Sequence, residues 1–296
     1  MPIVSNRRAF LAGLTAILTS ARAQAAEPVS ADAVKRANDE IAALEAREGG
    51  RLGVAVLDSA SGLSLAHRAE ERFPMCSTFK LLAAAAVLSR VDAGSEQLDR
   101  KVPYGAADLL EYAPVTKAHL ADGGMSVGDL CAAAIDWSDN TAANLLLQII
   151  GGPAGFTGYA RSLGDSVTRL DRNEPTLNTS IPGDERDTTT PLAMARAMQA
   201  VLLDKKLSEA SRRQLEAWLM GDKVGDKRIR AGLPPSWRIG DKTGSGDNGS
   251  TNAIAIIWPP DRAPLLATVY YTGSTASVDA RNGVHKDIGA IIAKTF

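Results

Sequence analysis

Cysteine and histidine are nearly missing from this chain of 296 residues, which has two of the former and three of the latter. His67, His119 and His285 are widely scattered. No C-x-x-C or H-x-x-x-H spacing occurs, so a zinc hydrolase has no ligand set to build on, and no metal or other cofactor is expected. Long apolar runs are also lacking. The mildly apolar stretch from Ala9 to Thr19 is too short to span a bilayer. There is no polybasic run, no internal repeat and no low-complexity linker, which makes nucleic acid and membrane surfaces poor partners. What remains is an ordinary soluble composition, 45% hydrophobic and 23% charged, with material for one large domain or two lobes.

The first residues stand apart. Asn6-Arg7-Arg8-Ala9-Phe10-Leu11 has the twin-arginine arrangement, and Ala23-Gln24-Ala25 is a small-x-small cleavage site. Residues 1–25 are therefore expected to be a twin-arginine signal peptide, and the mature chain, from residue 26, periplasmic. Cleavage removes Arg7, Arg8 and Arg22 and no acid, leaving a mild negative charge.

Hydrophobic periodicity organises the rest. Val34, Ala37, Ile41 and Leu44 fall at helical spacing over 31–48, which ends at Gly49-Gly50. Arg51–Asp58 alternates and is β-branched, Ser59-Ala60-Ser61-Gly62 turns it, and Leu63–His67 returns. Ser77 to about Met220 is alanine- and leucine-rich and reads as helices. Trp237–Lys242, Asn252–Trp258 and Leu265–Thr272 read as three more strands, and Ser277–Lys294 as a closing helix. The expected fold is α+β: an antiparallel five-stranded sheet flanked by N- and C-terminal helices, with an all-helical lobe inserted. The α/β lobe takes about 26–68 and 221–296, the helical lobe about 69–220. Sites commonly form where such lobes meet.

Four short motifs carry the chemistry. Ser77-Thr78-Phe79-Lys80 puts a hydroxyl and an amine on one helical face a turn apart, a nucleophile and a proton acceptor without histidine. Ser138-Asp139-Asn140 follows, then Glu174, then Lys242-Thr243-Gly244. Alone, each has a plain structural reading: a capping serine with a snorkelling lysine, a turn, a loop acid, a strand end. Together and in this order they form a recognised set. The stretch from Arg172 to Asp187 is long for a loop without secondary structure. Opposed charges at its ends point to an ion pair closing an Ω-loop, within which Glu174 and Asn178 could hold one water. Gly244 leaves a substrate free to approach along the strand edge, and Lys242 supplies charge for a substrate carboxylate.

Two further matches are decoys. Gly124-x-Ser126-x-Gly128 fits a nucleophile elbow, but Ala121-Asp122-Gly123 before it reads as a turn and Ser126 as a helix cap. Gly244-x-Gly246-x-x-Gly249 fits a dinucleotide fingerprint, but a strand follows it, so it reads as a hairpin connection.

The chain resembles the class A serine β-lactamases over essentially all of its mature length. The resemblance rests on Phe73-Pro-Met-Cys-Ser-Thr-Phe-Lys80, Tyr112-Ala-Pro-Val-Thr116, Ser138-Asp-Asn140, Glu174-Pro-Thr-Leu-Asn178, Arg186-Asp-Thr-Thr-Thr-Pro191 and Lys242-Thr-Gly-Ser-Gly246. The wording of the Glu174 and Arg186 segments is similar to the cefotaxime-hydrolysing, extended-spectrum branch. The resemblance implies that penicillins and cephalosporins are the substrates and that their hydrolysis confers resistance. It makes Ser77 the acylated nucleophile, Lys80 and Ser138 proton relays, and Glu174 with Asn178 the pair that positions the deacylating water. Asn140 binds the substrate's side-chain amide. Lys242, Thr243 and Ser245 bind its carboxylate, the N–H groups of Ser77 and Ser245 form an oxyanion hole, and Tyr112 lines the entrance.

Departures from the family pattern are informative. Where some members carry an arginine on the neighbouring strand, this chain has Thr251, and Arg228 is assigned the steering of the carboxylate. Cys131 has Ala84 where its partner would be, and Cys76 faces Gly246 in place of the cysteine of many carbapenem-hydrolysing members. Both thiols are therefore expected to be free, and carbapenems to be poor substrates. Two rivals share the nucleophile. A peptidoglycan D,D-peptidase lacks a deacylating Glu/Asn pair, and a β-lactam sensor domain is normally tethered to a membrane. The chain is expected to act as a monomer.

Replacing both Arg7 and Arg8 by lysine should strand the precursor in the cytoplasm. Cell fractionation with immunoblotting checks this, and undiminished periplasmic protein would favour the ordinary secretion route.

Overall fold

The computed structural model describes residues 29–296, the side chains of Leu63 and Ser64 apart. The signal peptide assigned to residues 1–25 lies outside the described residues. The first helix runs Ala31–Glu48, with the Ser30 hydroxyl accepting from Ala33 N–H, and Gly49 ends it with a positive φ. Its buried face is Ala37, Ile41 and Leu44, the periodic positions of the sequence. The closing helix is Val278–Thr295, and Ser277 proves to be its cap rather than its first residue.

Five strands form one antiparallel sheet. From one edge to the other they are Gly62–His67, Arg51–Asp58, Leu265–Thr272, Thr251–Trp258 and Arg238–Ser245. The last of these is longer than its expected Trp237–Lys242. It stays paired with Thr251–Trp258 residue by residue up to Ser245 opposite Thr251, so Lys242-Thr243-Gly244 lies within the strand. Gly246 to Ser250 is the hairpin connection, and the dinucleotide reading fails.

Alternation along the strands sends side chains into two separate cores. Leu52, Val54, Val56, Ala253, Ala255, Ile257 and Val269 meet Ile41, Leu44, Ile288 and Ile292 of the terminal helices. Ala55, Leu57, Ile254, Ile256, Leu266 and Tyr270 face the other way, against the helical part. Both faces of the sheet are thus covered, and the strands Thr251–Trp258 and Leu265–Thr272 are buried along all but their last residue.

The helical part is built around Phe79–Asp92, whose first ten residues are all buried. A helix apolar on every side is a core helix. Around it pack Val127–Asp136, Asn140–Ile150, Gly152–Ser162, Pro191–Leu202 and Glu209–Met220. Ser126 caps the helix Val127–Asp136 by accepting from Asp129 N–H, as its sequence reads. A two-residue strand, Met125–Ser126, does precede that helix, paired with Lys101–Val102.

Cys76 and Cys131 are buried free thiols, and burial pushes the Cys76 thiol up to about 12 and that of Cys131 higher still. Iodoacetamide should therefore leave the native protein unlabelled and add two labels to the denatured, unreduced protein, read by intact mass. No label on the denatured protein would mean the thiols are bridged.

Candidate active site

Ser77 sits in a one-turn 3₁₀ segment, Cys76–Thr78, that feeds the core helix. Cys76 has φ +45°, a left-handed conformation that costs a non-glycine residue about 1–3 kcal/mol and persists only where neighbours impose it. Here they do. Asn252 Nδ2 donates to Pro74 O at 2.9 Å and Met75 O at 3.0 Å, Thr78 Oγ1 donates to Met75 O at 2.8 Å, and Met75 N–H donates to Asp187 O at 2.9 Å. The nucleophile turn is held by the sheet on one side and the Ω-loop on the other.

Lys80 is fully buried. Its Nζ donates to Ser77 Oγ at 2.9 Å, Ser138 O at 2.8 Å and Asn140 Oδ1 at 2.7 Å, and lies 3.0 Å from Glu174 Oε1. Ser138 Oγ is 3.4 Å away. Burial lowers the proton affinity of Lys80, and the charge of Glu174 opposes that shift. Ser77 Oγ also reaches Glu174 Oε1 at 3.3 Å. Ser77 accordingly does not cap its helix; its hydroxyl meets both the amine and the acid.

Ser138-Asp139-Asn140 joins two helices. Asp139 points inward and accepts from Ala142 N at 2.9 Å, Val115 N at 3.0 Å, Thr116 N at 2.9 Å and Thr116 Oγ1 at 3.0 Å. That locks Ser138 and Asn140, on either side of it, toward Lys80. Asn144, one turn beyond Asn140, grips the backbone of Glu174: its Oδ1 accepts from Glu174 N at 2.9 Å and its Nδ2 donates to Glu174 O at 3.0 Å. Sequence reading gave no role to either Asp139 or Asn144. The signal for Asn144 was its spacing of four from Asn140, which puts both amides on one helix face.

The Ω-loop closes as its terminal charges imply. Arg172 Nε donates to Asp187 Oδ2 at 2.5 Å, and Asp187 Oδ1 accepts from the N–H groups of Asp171 and Arg172. Inside it, Asn178 Nδ2 donates to Glu174 Oε2 at 2.5 Å, and Asn178 Oδ1 is buried without a donor from the protein.

The strand Arg238–Ser245 forms the opposite wall. Lys242 is fully buried with Nζ on Thr243 O at 3.0 Å. Its burial and the nearby charge of Lys80 lower it to about 7. Arg228 donates through Nη2 to Ser245 Oγ at 2.7 Å, through Nη1 to Gly244 O at 2.7 Å and Asn252 O, and through Nε to Asn282 Oδ1 at 3.1 Å. Tyr112 stands half-exposed at the mouth, its hydroxyl donating to Trp137 O at 3.1 Å. The cleft has a volume of about 380 Å³ and is lined by Ser77, Tyr112, Ser138, Asn140, Asn178, Arg228, Thr243, Gly244 and Ser245, with Val224. Lys80, Glu174 and Lys242 are buried behind its lining. A larger cavity of about 620 Å³, behind the Ω-loop, contains none of these residues.

A profile of the β-lactamase enzyme family matches residues 36–296. The chain belongs to that family. It is 49% identical over 265 residues to β-lactamase OXY-2 of Klebsiella oxytoca, covering 90% of this chain and 89% of that protein. It is 50% identical over 258 residues to β-lactamase CTX-M-8 of Citrobacter amalonaticus, covering 86% and 88%. Among solved structures, an ancestral (GNCA) class A β-lactamase superimposes with a TM-score of 0.87 at 59% identity, covering 88% of this chain and all of that one. The five-stranded sheet and the helices around Ser77 in this β-lactamase-family chain are therefore those of the transpeptidase-like fold.

A side chain at Gly244 would not lie in the substrate's path. A Cβ there would meet Met75 O at 2.9 Å, Ser77 N at 3.1 Å and Cys76 Cβ at 3.2 Å, so the glycine lets the strand pack against the nucleophile turn. Gly246 likewise faces Asn178 O and Cys76 Sγ rather than open space. Gly244→Ala should therefore lower unfolding stability by about 1–3 kcal/mol, as overpacking does, together with kcat. Urea denaturation with steady-state kinetics checks this. A raised KM at unchanged stability would restore the substrate-path reading.

Proposed function

We propose that this chain is a class A serine β-lactamase that opens the ring of penicillins and cephalosporins through an acyl-enzyme on Ser77, conferring β-lactam resistance. The observation that carries the reading is the convergence on Ser77 Oγ of Lys80 Nζ at 2.9 Å and Glu174 Oε1 at 3.3 Å. A nucleophile is activated when a base stands within hydrogen-bond reach.

In the first step Ser77 Oγ attacks the lactam carbonyl carbon, and its proton leaves to Lys80 or Glu174. The oxyanion is held by the N–H groups of Ser77 and Ser245. The C–N bond then breaks, and Ser138 passes a proton to the leaving nitrogen. In the second step a water held between Glu174 and Asn178 gives its proton to Glu174 and attacks the ester carbonyl; the ester C–O bond breaks, and the proton is returned to Ser77 Oγ from Glu174, directly or through Lys80. Meanwhile Lys242, Thr243 and Ser245, with Arg228 behind them, bind the substrate carboxylate. Asn140 binds the side-chain amide, and Tyr112 borders the entrance. Support for these roles comes from the contacts described above; Ser245, for instance, accepts from Arg228, whose guanidinium is aimed at this end of the cleft.

The site lies in a cleft between an α/β lobe (about 26–68 and 221–296) and a helical lobe (about 69–220). The enzyme works as a monomer in the periplasm after twin-arginine export. No helix among the described residues is long and apolar enough to cross a membrane.

The test separates the two steps. Ser77→Ala should lose turnover by on the order of 10⁴-fold or more and form no adduct. Glu174→Ala should accumulate a persistent benzylpenicillin adduct, read by intact mass. Normal turnover by the Glu174 variant would remove glutamate from the deacylation step.

A further inference from the structure

Asn144 grips the Ω-loop from the helical side, through both backbone groups of Glu174. Beyond Asn178 the loop is held from the sheet. Thr176–Asn178 makes a single 3₁₀ turn, and Ser180 just past it has φ +47°, a left-handed conformation that a serine keeps only where neighbours impose it. Carbonyl groups that leave such a turn have no partner inside it. Asn248, in the hairpin of residues 246–250, supplies the donor: its Nδ2 donates to Thr179 O at 3.1 Å and to Ser180 O at 2.9 Å. Beside it, Asp247 N–H donates to Asn178 O at 2.8 Å, and Ser180 Oγ donates to that same oxygen at 3.2 Å. Asn178 is thus held at its backbone while its side chain donates to Glu174 Oε2.

Asn248 is itself fixed. Its φ is +51°, which asparagine tolerates better than most residues. Its carbonyl accepts from Gly273 N–H at 2.7 Å, just past the strand Leu265–Thr272. Ser250 N–H donates to Asp247 O and Gly246 N–H to Ser250 O, both at 3.1 Å, which closes the hairpin. The side-chain amide therefore reaches the Ω-loop from a backbone tied to the sheet. The approach is close: a Cβ on Gly246 would lie 2.5 Å from Asn178 O and 2.8 Å from Ser180 Oγ.

Resting on the assignment of Glu174 and Asn178 to deacylation, we propose that Asn248 is a positioning residue for that step: its amide, by holding the carbonyl groups of Thr179 and Ser180, keeps the Asn178 side chain directed at Glu174. The hydrogen bonds of Ser77 and Lys80 do not run through the hairpin, and Ser245 is held by its pairing with Thr251 and by Arg228. Acylation is therefore spared.

Two variants test this. Asn248→Gly accepts the positive φ and removes the amide. Asn248→Asp keeps the shape of the side chain and sets acceptors against the two carbonyl groups. Asn248 is exposed, so neither change removes core packing and both variants should fold. After a stoichiometric pulse of benzylpenicillin, both should release the acyl group about tenfold more slowly than the parent, because a small displacement of a positioned group carries a cost of that order. Quenched-flow intact mass reads the release. The value of kcat/KM, which reports acylation, should be unchanged. Release at the parental rate, or an equal fall in acylation, would overturn the proposal. Hydrogen–deuterium exchange without substrate is the second measurement: residues 176–182 should exchange faster in both variants, and unchanged exchange would overturn the proposal whatever the kinetics show. Glu174→Ala run beside them separates the failures. If that variant retains no acyl group, the deacylation reading falls and the role of Asn248 with it. If it does retain one and the Asn248 variants release normally, only the role of Asn248 falls.

Discussion

A lysine amine with no access to water organises this molecule. Burying such a polar group is tolerated only when it finds hydrogen-bond partners. Lys80 finds them on three segments: its own turn at Ser77, the interhelical link at Ser138 and Asn140, and the Ω-loop at Glu174. Satisfying one amine thus fixes the relative positions of the groups that the proposed chemistry uses. The same arrangement explains why Asp139 is buried with four donors. If it turned outward, Ser138 and Asn140 would lose their aim, and Lys80 would lose two acceptors.

The sheet contributes rigidity more than reactive groups. It separates two cores, and its edge strand carries Lys242 to Ser245 past the nucleophile turn at a distance only a glycine permits. Asn252, on the next strand, donates to both Pro74 and Met75 and so ties that turn to the sheet. The left-handed Cys76 is sustained by these contacts, which hold the serine where no regular helix would put it.

Much of this was legible in the sequence because it is periodic or local. The face of the first helix, the alternation of Arg51–Asp58 and the cap at Ser126 follow from spacing alone. The motif serine, lysine, asparagine and glutamate came from their order along the chain, and the opposed charges of Arg172 and Asp187 marked the Ω-loop. What could not be read depends on contacts between distant segments. The spacing of Asn144 from Asn140 puts both on one helix face, but that it holds Glu174 is not legible locally, because that partner is 30 residues away. The extension of the edge strand to Ser245 depends on pairing with Thr251, not on its own residues. Gly244 reads as permissive in sequence, but what it permits, the approach of another backbone, is visible only in three dimensions.

The hairpin after the edge strand has a consequence for how the cleft can change. Asp247 N–H donates to Asn178 O, and Asn248 Nδ2 donates to Thr179 O and Ser180 O. The two rims of the entrance are therefore laced together, and the width of the opening is set by the length of a five-residue connection. Insertion or deletion in that connection would reset the aperture and, through Asp247, act on the backbone of Asn178 as well. Accommodation of bulkier molecules by that route is therefore mechanically coupled to the amide beside Glu174.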